Sequence, residues 1–185
     1  MKVVQIGSNC AKDDLTKIIK KSKVDLLILV EPLHYHNANI QNCYSYVNNK
    51  FIENIAITVN NEVETNFYVN RDNLPFYETA SLDINHLIKH GCKIEKIKKL
   101  KVKCLHINQL FEKYNITDLD ILYIDAEGID DLILKSIDFN KINISKIYFE
   151  NLHITQPDVY TYLENKGYKI KKNIGKNSWT DLAEK

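Results

Sequence analysis

The sequence predicts an α/β fold: a mostly parallel twisted sheet with helices on both faces and an antiparallel hairpin at the C-terminal end. Short runs of Val, Ile and Leu alternate with helical stretches, which is the order of a parallel sheet with right-handed crossovers. These runs are continuous rather than alternating, as in strands buried on both faces. Two strand-like stretches, 168–174 and 179–182, flank a turn at 175–177 and predict the hairpin.

Turn and cap residues set the bounds of the predicted elements. The predicted strands before the hairpin are residues 3–6, 24–30, 51–59, 64–69, 121–125 and 145–149. The predicted helices are residues 13–19, 34–49, 80–90, 107–114, 129–136 and 158–165. Pro32 ends the second strand because proline cannot continue a hydrogen-bonded ladder. Asn108 is the expected cap of the fourth helix, and Gly167 closes the last one.

Composition limits the class of protein. The chain has 185 residues, 44% hydrophobic and 26% charged, which fits one soluble α/β domain over residues 1–185. The net charge of +1 argues against a protein that coats nucleic acid. The lysines between 93 and 103 have no interleaved aromatic residues and are expected on a solvated face. No membrane partner is expected, because no apolar run approaches the length of a membrane span.

The cysteines favour a reducing compartment. Cys10, Cys43, Cys92 and Cys104 lie far apart, and no pair has the C-x-x-C spacing of a zinc or redox motif. Residues 1–4 lead straight into a strand without the apolar region of a signal peptide. We therefore expect free thiols and a cytoplasmic location.

Two carboxylates follow the most apolar strand. Asp125 and Glu127 lie one residue apart, just beyond the strand predicted over 121–125. In open α/β sheets, ligands bind at the carboxyl ends of the strands, so both side chains are candidates for a functional site. The alternative is that they only cap the following helix, since acids are favoured at a helix N-terminus.

A glycine turn and a spaced acid favour a nucleoside ligand. Gly7 follows the first strand and Glu31 ends the second; in nucleotide-binding α/β folds these positions admit the ligand and accept hydrogen bonds from its ribose hydroxyls. The turn matches neither G-x-G-x-x-G nor a P-loop, so no pyrophosphate cradle is indicated. S-adenosylmethionine, which has a ribose and no phosphate, fits this pattern better than a dinucleotide, although other α/β domains also match so short a pattern.

With Asp125-Ala126-Glu127-Gly128 added, the chain resembles the FkbM family of S-adenosylmethionine-dependent methyltransferases. The family motifs D-x-G-A-N-x-G, V-E-P and D-x-E-G have counterparts at 5–9, 30–32 and 125–128. The resemblance implies a Rossmann-like class I methyltransferase fold. Gln5 replaces the usual Asp, and residues 10–12 lack the second glycine. The chain also begins at the first strand, so we expect either a more open pocket or a cover from another domain or subunit.

The resemblance implies roles for residues along one edge of the sheet. Cofactor contacts are expected from Gln5, Gly7, Ser8, Asn9, Glu31, Pro32, Ala56, Ile57, Ser81 and Asp125. Gly7 and Asn9 would line the methionine end, and Glu31 would take the ribose hydroxyls. Residues 56–57 would flank the adenine, and Asp125 would lie beside the sulfonium and the acceptor.

Methyl transfer to an alcohol needs a way to remove the hydroxyl proton, either a general base or a metal ion. The candidate bases are Asp125, Glu127 and His153. The candidate ligands of a Mg²⁺ ion are Asp125, Glu150 and Asn151, an all-oxygen set. The structural alternatives are that Glu150 and Asn151 cap a turn and that His153 is a surface or packing residue.

The resemblance, together with the acid-rich site, implies methyl transfer from S-adenosylmethionine to a hydroxyl group. The polar and aromatic residues around the expected cleft favour a sugar, glycan or other polyol as the acceptor. A small-molecule N-methyltransferase is one alternative. Another is a degenerate domain that binds the cofactor or a partner without catalysis. The departures from the family motifs at Gln5 and Cys10 support this alternative. His86 and His90 can share a helix face, but the sequence shows no third ligand, so no metal role is expected there. The sequence leaves open a homo-oligomer or a place in a larger multidomain protein.

Overall fold

The computed structural model describes residues 1–11, 13–73, 79–174 and 178–185 and contains the expected α/β arrangement. The strands are β1 (Lys2–Ile6), β2 (Leu26–Val30), β3 (Lys50–Glu53), β4 (Ala56–Thr58), β5 (Glu64–Asn70), β6 (Ile97–His106), β7 (Asp118–Ile124), β8 (Asn143–Glu150), β9 (Lys169–Ile174) and β10 (Thr180–Glu184). The helices are α1 (Leu15–Ile19), α2 (Asn37–Cys43), α3 (Ile84–Lys89), α4 (Ile107–Lys113), α5 (Asp130–Ser136) and α6 (Val159–Asn165).

The main sheet has seven strands in the described part of the chain, in the order β3-β2-β1-β7-β8-β10-β9. β1 pairs in parallel with β2 and β7, β2 with β3, and β7 with β8. β10 runs antiparallel to both β8 and β9, which confirms the predicted hairpin. The predicted turn at 175–177 lies outside the described residues.

Helices cover both faces of the main sheet. On one face, Leu110 of α4, Leu134 of α5 and Leu163 of α6 belong to the same buried cluster as residues of β1, β7 and β8. On the other face, Leu15 of α1 and Ile40 of α2 pack with the opposite side chains of β1 and β2. Burial on both faces explains why the strand sequences are continuously apolar.

A smaller sheet contains β4, β6 and β5 in that order. The prediction of one strand over 51–59 was wrong, because β3 belongs to the main sheet and β4 to the smaller one. Asn54, between them, donates from its side-chain amide to the Glu31 carbonyl at 2.9 Å. The same amide group exchanges hydrogen bonds with the Asn37 side chain. A side chain therefore replaces the ladder beyond β3, and the chain turns away.

β6 was not predicted, because its many lysines obscure the alternation of buried and exposed side chains that is typical of a strand. Lys98, Lys99, Lys101 and Lys103 are all exposed, as expected for a solvated face, while the side chains of Val102 and Cys104 are buried. β6 pairs with both other strands of the small sheet, so this basic stretch is its centre.

Two helix predictions need correction. Of residues 34–49, only Asn37–Cys43 forms an α-helix, preceded by a 3₁₀ turn at His34–His36. The cap of α4 is His106, whose Nδ1 accepts from the Asn108 backbone N–H; Gln109 completes the capping box.

No helix in the described residues is long and apolar enough to cross a membrane.

The topology places a crevice between β1 and β7. The chain proceeds from β1 to β2 and β3 on one side, whereas β7 and β8 extend the sheet on the other. Such a change of direction leaves an opening at the carboxyl ends of the strands, where α/β proteins bind ligands.

Candidate active site

Gly7 lies where the carboxyl ends of β1 and β7 meet. Its backbone N–H donates to the Val30 carbonyl at 3.0 Å, and its φ is +76°. A Cβ atom at this position would lie 1.7 Å from the Asp125 carbonyl oxygen. Both the positive φ and the close approach of two chain segments therefore require glycine here.

The Glu31 carboxylate is held by backbone amides. Its Oε2 accepts from the Asn9 N–H at 2.8 Å and its Oε1 from the Leu33 N–H at 2.8 Å. The residue is only 5% exposed, and burial raises the pKa of the carboxyl to about 7. Each oxygen keeps a second lone pair, so the carboxylate can also accept two hydroxyl hydrogens.

Glu31 lies in a cleft that we call the apolar cleft, with an empty volume of about 640 Å³. Its lining includes the predicted residues Gly7, Asn9, Glu31, Pro32, Ala56, Ile57, Asp125 and Glu127. The sequence did not point to four further lining side chains: Leu33, Phe67, Leu82 and Ile129. Phe67 comes from the small sheet, so the two sheets together form the apolar wall.

A second cleft, the acidic cleft, adjoins the first and has an empty volume of about 1300 Å³. Gly7, Asn9, Asp125 and Glu127 line both clefts. Most of the remaining lining is polar or aromatic and includes Ser8, Asp13, Asp14, Lys17, Tyr123, Glu150 and Trp179. The predicted site residues therefore border one continuous depression along the sheet edge.

The acidic cleft holds several carboxyl groups that raise one another's pKa. Burial, followed by the charges of Glu127 and Asp130, raises the pKa of Asp125 well above its ordinary value. Burial and the charges of Asp125 and Asp130 raise the pKa of Glu150 to about 9. Like charges in a desolvated site disfavour ionisation of the carboxyl groups. A bound cation would stabilise the ionised carboxylates, so the site favours binding of a cation.

Two buried aspartates at the start of α5 position the loops of the site. Asp130 accepts from the backbone N–H of Ala126 at 3.2 Å and of Glu150 at 3.4 Å, which joins the ends of β7 and β8. Asp131 accepts from the Thr155 N–H at 2.7 Å and the Gln156 N–H at 2.5 Å. The loop that carries His153 is thereby anchored to α5.

The segment around Glu127 is held by Ser81. Glu127 has a φ of +50°, which is unusual for a residue with a side chain. Ser81 Oγ donates to the Glu127 carbonyl at 2.7 Å, and the Ser81 backbone pairs with Tyr68 of β5. Ser81 is nearly fully buried and does not line either cleft. The structure therefore makes it a support for Glu127.

Gln5 also lies outside both clefts. Its amide Nε2 donates to Asp13 Oδ2 at 2.5 Å, and its Oε1 accepts from the Tyr44 hydroxyl at 3.2 Å. Asp13, which lines the acidic cleft, thus supplies a carboxyl group close to the point where the family motif has Asp. Burial raises the pKa of Asp13.

The predicted residues after β8 point in different directions. Glu150 lines the acidic cleft, and His153 Nε2 lies 3.7 Å from Glu150 Oε1. The Asn151 amide instead donates to Asp181 Oδ1 at 2.6 Å, which ties β8 to the hairpin. The all-oxygen Mg²⁺ set of Asp125, Glu150 and Asn151 stays a prediction.

Comparison with solved structures agrees with this fold. The chain is similar to a crystal structure of methyltransferase FkbM from Methylobacillus flagellatus KT, at a TM-score of 0.58 and 15% identity. That alignment covers 100% of this chain and 43% of the other, so this chain spans less than half of that protein's length. No curated protein matches the sequence.

A family model defines the class of this domain. Residues 7–170 match the family model described as the methyltransferase FkbM domain, and the chain belongs to this family. The resemblance noted in the sequence is thus confirmed.

Proposed function

We propose that residues 1–185 form one domain that transfers a methyl group from S-adenosylmethionine to a hydroxyl group of a sugar or other polyol. The observation that carries this proposal is the junction of the two clefts. An apolar cleft with one amide-held carboxylate, Glu31, meets an acid-rich cleft at Gly7 and Asp125.

The apolar cleft suits an adenosine. Ile57, Phe67 and Leu82 offer apolar surface to an adenine ring, and the Glu31 oxygens have lone pairs left for two ribose hydroxyls. Gly7 and Asn9 line both clefts, so a ligand can extend past them from the apolar cleft into the acidic one.

The acidic cleft suits the charged end of the cofactor. S-adenosylmethionine carries a sulfonium and an ammonium group, both positively charged. Asp13 and Asp125 contribute carboxyl groups to the acidic cleft, and Lys17 is the only basic side chain among the described residues that line it. Binding of a cation would lower the raised pKa of Asp125 and let that carboxyl ionise.

The chemistry needs alignment and one proton acceptor. When bound, S-adenosylmethionine supplies a methyl group whose bond to sulfur breaks as the acceptor oxygen bonds to carbon. The walls of the acidic cleft hold the acceptor in line, and proximity of this kind supplies much of the rate. Asp125 lines both clefts and is therefore the preferred base for the hydroxyl proton; Glu127 and His153 are the alternatives.

The acceptor side favours a polyol. Trp179, which is 52% exposed, and Tyr123 line the acidic cleft together with several carboxyls. Aromatic faces pack against the apolar C–H face of a sugar, and carboxylates accept its hydroxyl hydrogens.

Calorimetric titration with S-adenosylhomocysteine, with NAD⁺ as a control ligand, tests the cofactor. We expect S-adenosylhomocysteine to bind with micromolar affinity and NAD⁺ not to bind. Glu31→Gln should weaken the binding at least roughly tenfold, because the neutral side chain accepts fewer and weaker hydrogen bonds. The matched variant Glu62→Gln alters an exposed carboxylate away from the clefts and should bind normally.

Equal binding by wild type and Glu31→Gln would refute the ribose role of Glu31. If S-adenosylhomocysteine does not bind the wild-type chain at all, the methyltransferase activity of this chain on its own is refuted. The acceptor is tested with a panel of polyols and amines, with products analysed by mass spectrometry. Methylation of amines alone would overturn the oxygen assignment.

A further inference from the structure

Three histidines converge beside the acidic cleft. His86 lies in α3 and His90 at its C-terminal cap, four residues apart on one face. His153 follows β8. The ring centroids are 4.5 Å apart for His86 and His90, 4.6 Å for His86 and His153, and 4.7 Å for His90 and His153. The third imidazole missing from the sequence pattern is therefore supplied by a distant loop.

The ring nitrogens are close enough to share an ion. One nitrogen from each of the three imidazoles lies within 4.8 Å of the others. His153 also forms a second group with Glu127 and Glu150, whose candidate ligand atoms again lie within 4.8 Å of one another. His153 joins the two groups, so nitrogen and carboxylate donors surround one small region.

A buried polar atom without a partner marks the same place. Glu150 Oε2 is buried and has no hydrogen-bond partner in the described part of the chain. The nearby His86 is only 5% exposed, and its Nε2 lies 2.9 Å from Glu127 Oε2. Buried polar atoms are nearly always paired, so the exception at Glu150 indicates a missing ligand.

We propose that His86, His90 and His153, together with Glu127 or Glu150, bind a divalent transition-metal ion of the zinc type. Imidazole favours Zn²⁺ and its first-row neighbours, whereas Mg²⁺ favours oxygen donors. Ligand atoms in a tetrahedral zinc site lie roughly 3.3 Å apart, since each bond is about 2.0–2.1 Å long. The present nitrogens lie within 4.8 Å of one another, so ligation requires the three rings to move closer together.

The loops that carry the ligands are already fixed. Asp131 holds the loop of His153 through Thr155 and Gln156, and Ser81 holds the backbone of Glu127. Supports of this kind keep a metal ligand in position and reduce the cost of binding the ion.

The ion would lie next to the acceptor. Glu127 and Glu150 line the acidic cleft, so a metal bound to either can reach a hydroxyl placed there and lower its pKa. This role rests on the proposed methyl transfer, whereas metal binding itself does not.

The test is titration of metal-free protein with Zn²⁺, followed by calorimetry and by competition with a chromophoric chelator. One ion per chain is expected, with Mg²⁺ binding much more weakly. His90→Ala and His153→Ala should each weaken Zn²⁺ binding by at least roughly tenfold, since each removes a ligand. His90 is exposed, so its loss should leave the fold intact. His34→Ala, which removes an exposed histidine outside the cluster, is the matched control and should bind Zn²⁺ as wild type does.

Substitution with Co²⁺ identifies the donors. Visible absorption bands of a nitrogen- and oxygen-ligated site, without the intense near-ultraviolet band of a thiolate ligand, are expected. A thiolate band, or equal Zn²⁺ affinity in wild type and His90→Ala, would overturn the proposal. Titration of His90→Ala with S-adenosylhomocysteine separates the two proposals, because cofactor binding should survive the loss of the metal ligand.

Discussion

The apolar cleft and the acidic cleft share Gly7 and Asp125 but differ in the surroundings of their carboxyl groups. In the apolar cleft, both oxygens of Glu31 accept backbone N–H groups, and the surrounding side chains are mostly apolar. In the acidic cleft, carboxyl groups raise one another's pKa, and the buried Glu150 Oε2 has no hydrogen-bond partner among the described residues.

The difference indicates two kinds of preorganisation. Glu31 has its backbone hydrogen bonds before any ligand arrives, so the apolar cleft provides shape and a fixed acceptor. The carboxyl groups of the acidic cleft repel one another when ionised, and either protonation or a bound cation relieves that repulsion. Binding in the first cleft and chemistry in the second should therefore respond differently to mutation.

The largest expected effect is on catalysis rather than on cofactor binding. Asp125→Asn should lower methyl-transfer kcat by about 10²–10⁴-fold, the usual contribution of a general base. Binding of S-adenosylhomocysteine should change only a few-fold, because the contacts of Glu31 and the apolar wall remain intact. The control is Asp118→Asn, an exposed carboxylate at the start of β7, the strand that precedes Asp125. An unchanged kcat in Asp125→Asn would show that Asp125 is not the base.

Gly7→Ala should damage both clefts at once. The added Cβ would overlap the Asp125 carbonyl, so the ends of β1 and β7 must separate. A loss of about 3 kcal/mol or more in unfolding free energy is expected, from overpacking together with a strained φ. Gly91→Ala is the matched control: its φ is +79° but its Cβ meets open space, so only about 1 kcal/mol should be lost. Urea denaturation measures both, and equal losses would contradict the close approach at Gly7.

Glu31 should make the unliganded protein less stable at high pH. Its folded pKa is about 7, above the ordinary value of 4.5. The folded state therefore binds this proton more tightly, and its contribution is lost as pH rises from about 4.5 through 7, by up to about 3 kcal/mol.

Comparison with Glu31→Gln isolates this contribution. The variant loses one acceptor at every pH, so its stability is lower at pH 4 but falls less steeply between pH 4.5 and 8. Chemical denaturation across that range measures the difference. Glu62→Gln should follow the wild-type curve, and parallel curves for wild type and Glu31→Gln would show that the carboxyl does not titrate as described.

The smallest expected effect concerns the rim of the acidic cleft. Trp179→Ala should raise the KM of a sugar acceptor about threefold to tenfold, the loss of one stacking contact of roughly 0.5–1.5 kcal/mol. Its effect on S-adenosylhomocysteine binding should be small. Tyr35→Ala, which removes another exposed aromatic ring, is the control. An unchanged acceptor KM in Trp179→Ala would place the acceptor elsewhere.

Local sequence patterns predicted the main sheet and the position of Gly7 and Glu31 at its edge. Gly7 and Glu31 immediately follow apolar strands, and residues after parallel strands meet at one edge. Short runs such as Leu26–Val30 are buried on both faces, so their identity depends little on distant partners. The C-terminal hairpin was likewise visible from its turn residues.

The features that depend on distant contacts were not predictable. Lys98 to Lys103 alternate poorly, and only pairing with both β4 and β5 makes this stretch a strand. The position of Gln5 away from the clefts depends on Asp13 and Tyr44. His86 and His90 were recognised as sharing a helix face, but α3 follows the small sheet, and nothing local indicates that it lies against His153.

The hydrogen bond from Ser81 to the Glu127 carbonyl connects chain segments 46 residues apart. Ser81 in turn pairs with β5, so the small sheet supports the unusual backbone of Glu127. Neither Ser81 nor Glu127 belongs to the two clusters of buried side chains that pack the main sheet. We therefore expect a sub-global opening step, in which the small sheet releases Ser81 and the site is lost while most of the secondary structure persists. On this expectation, the integrity of the site and global folding follow two separate equilibria.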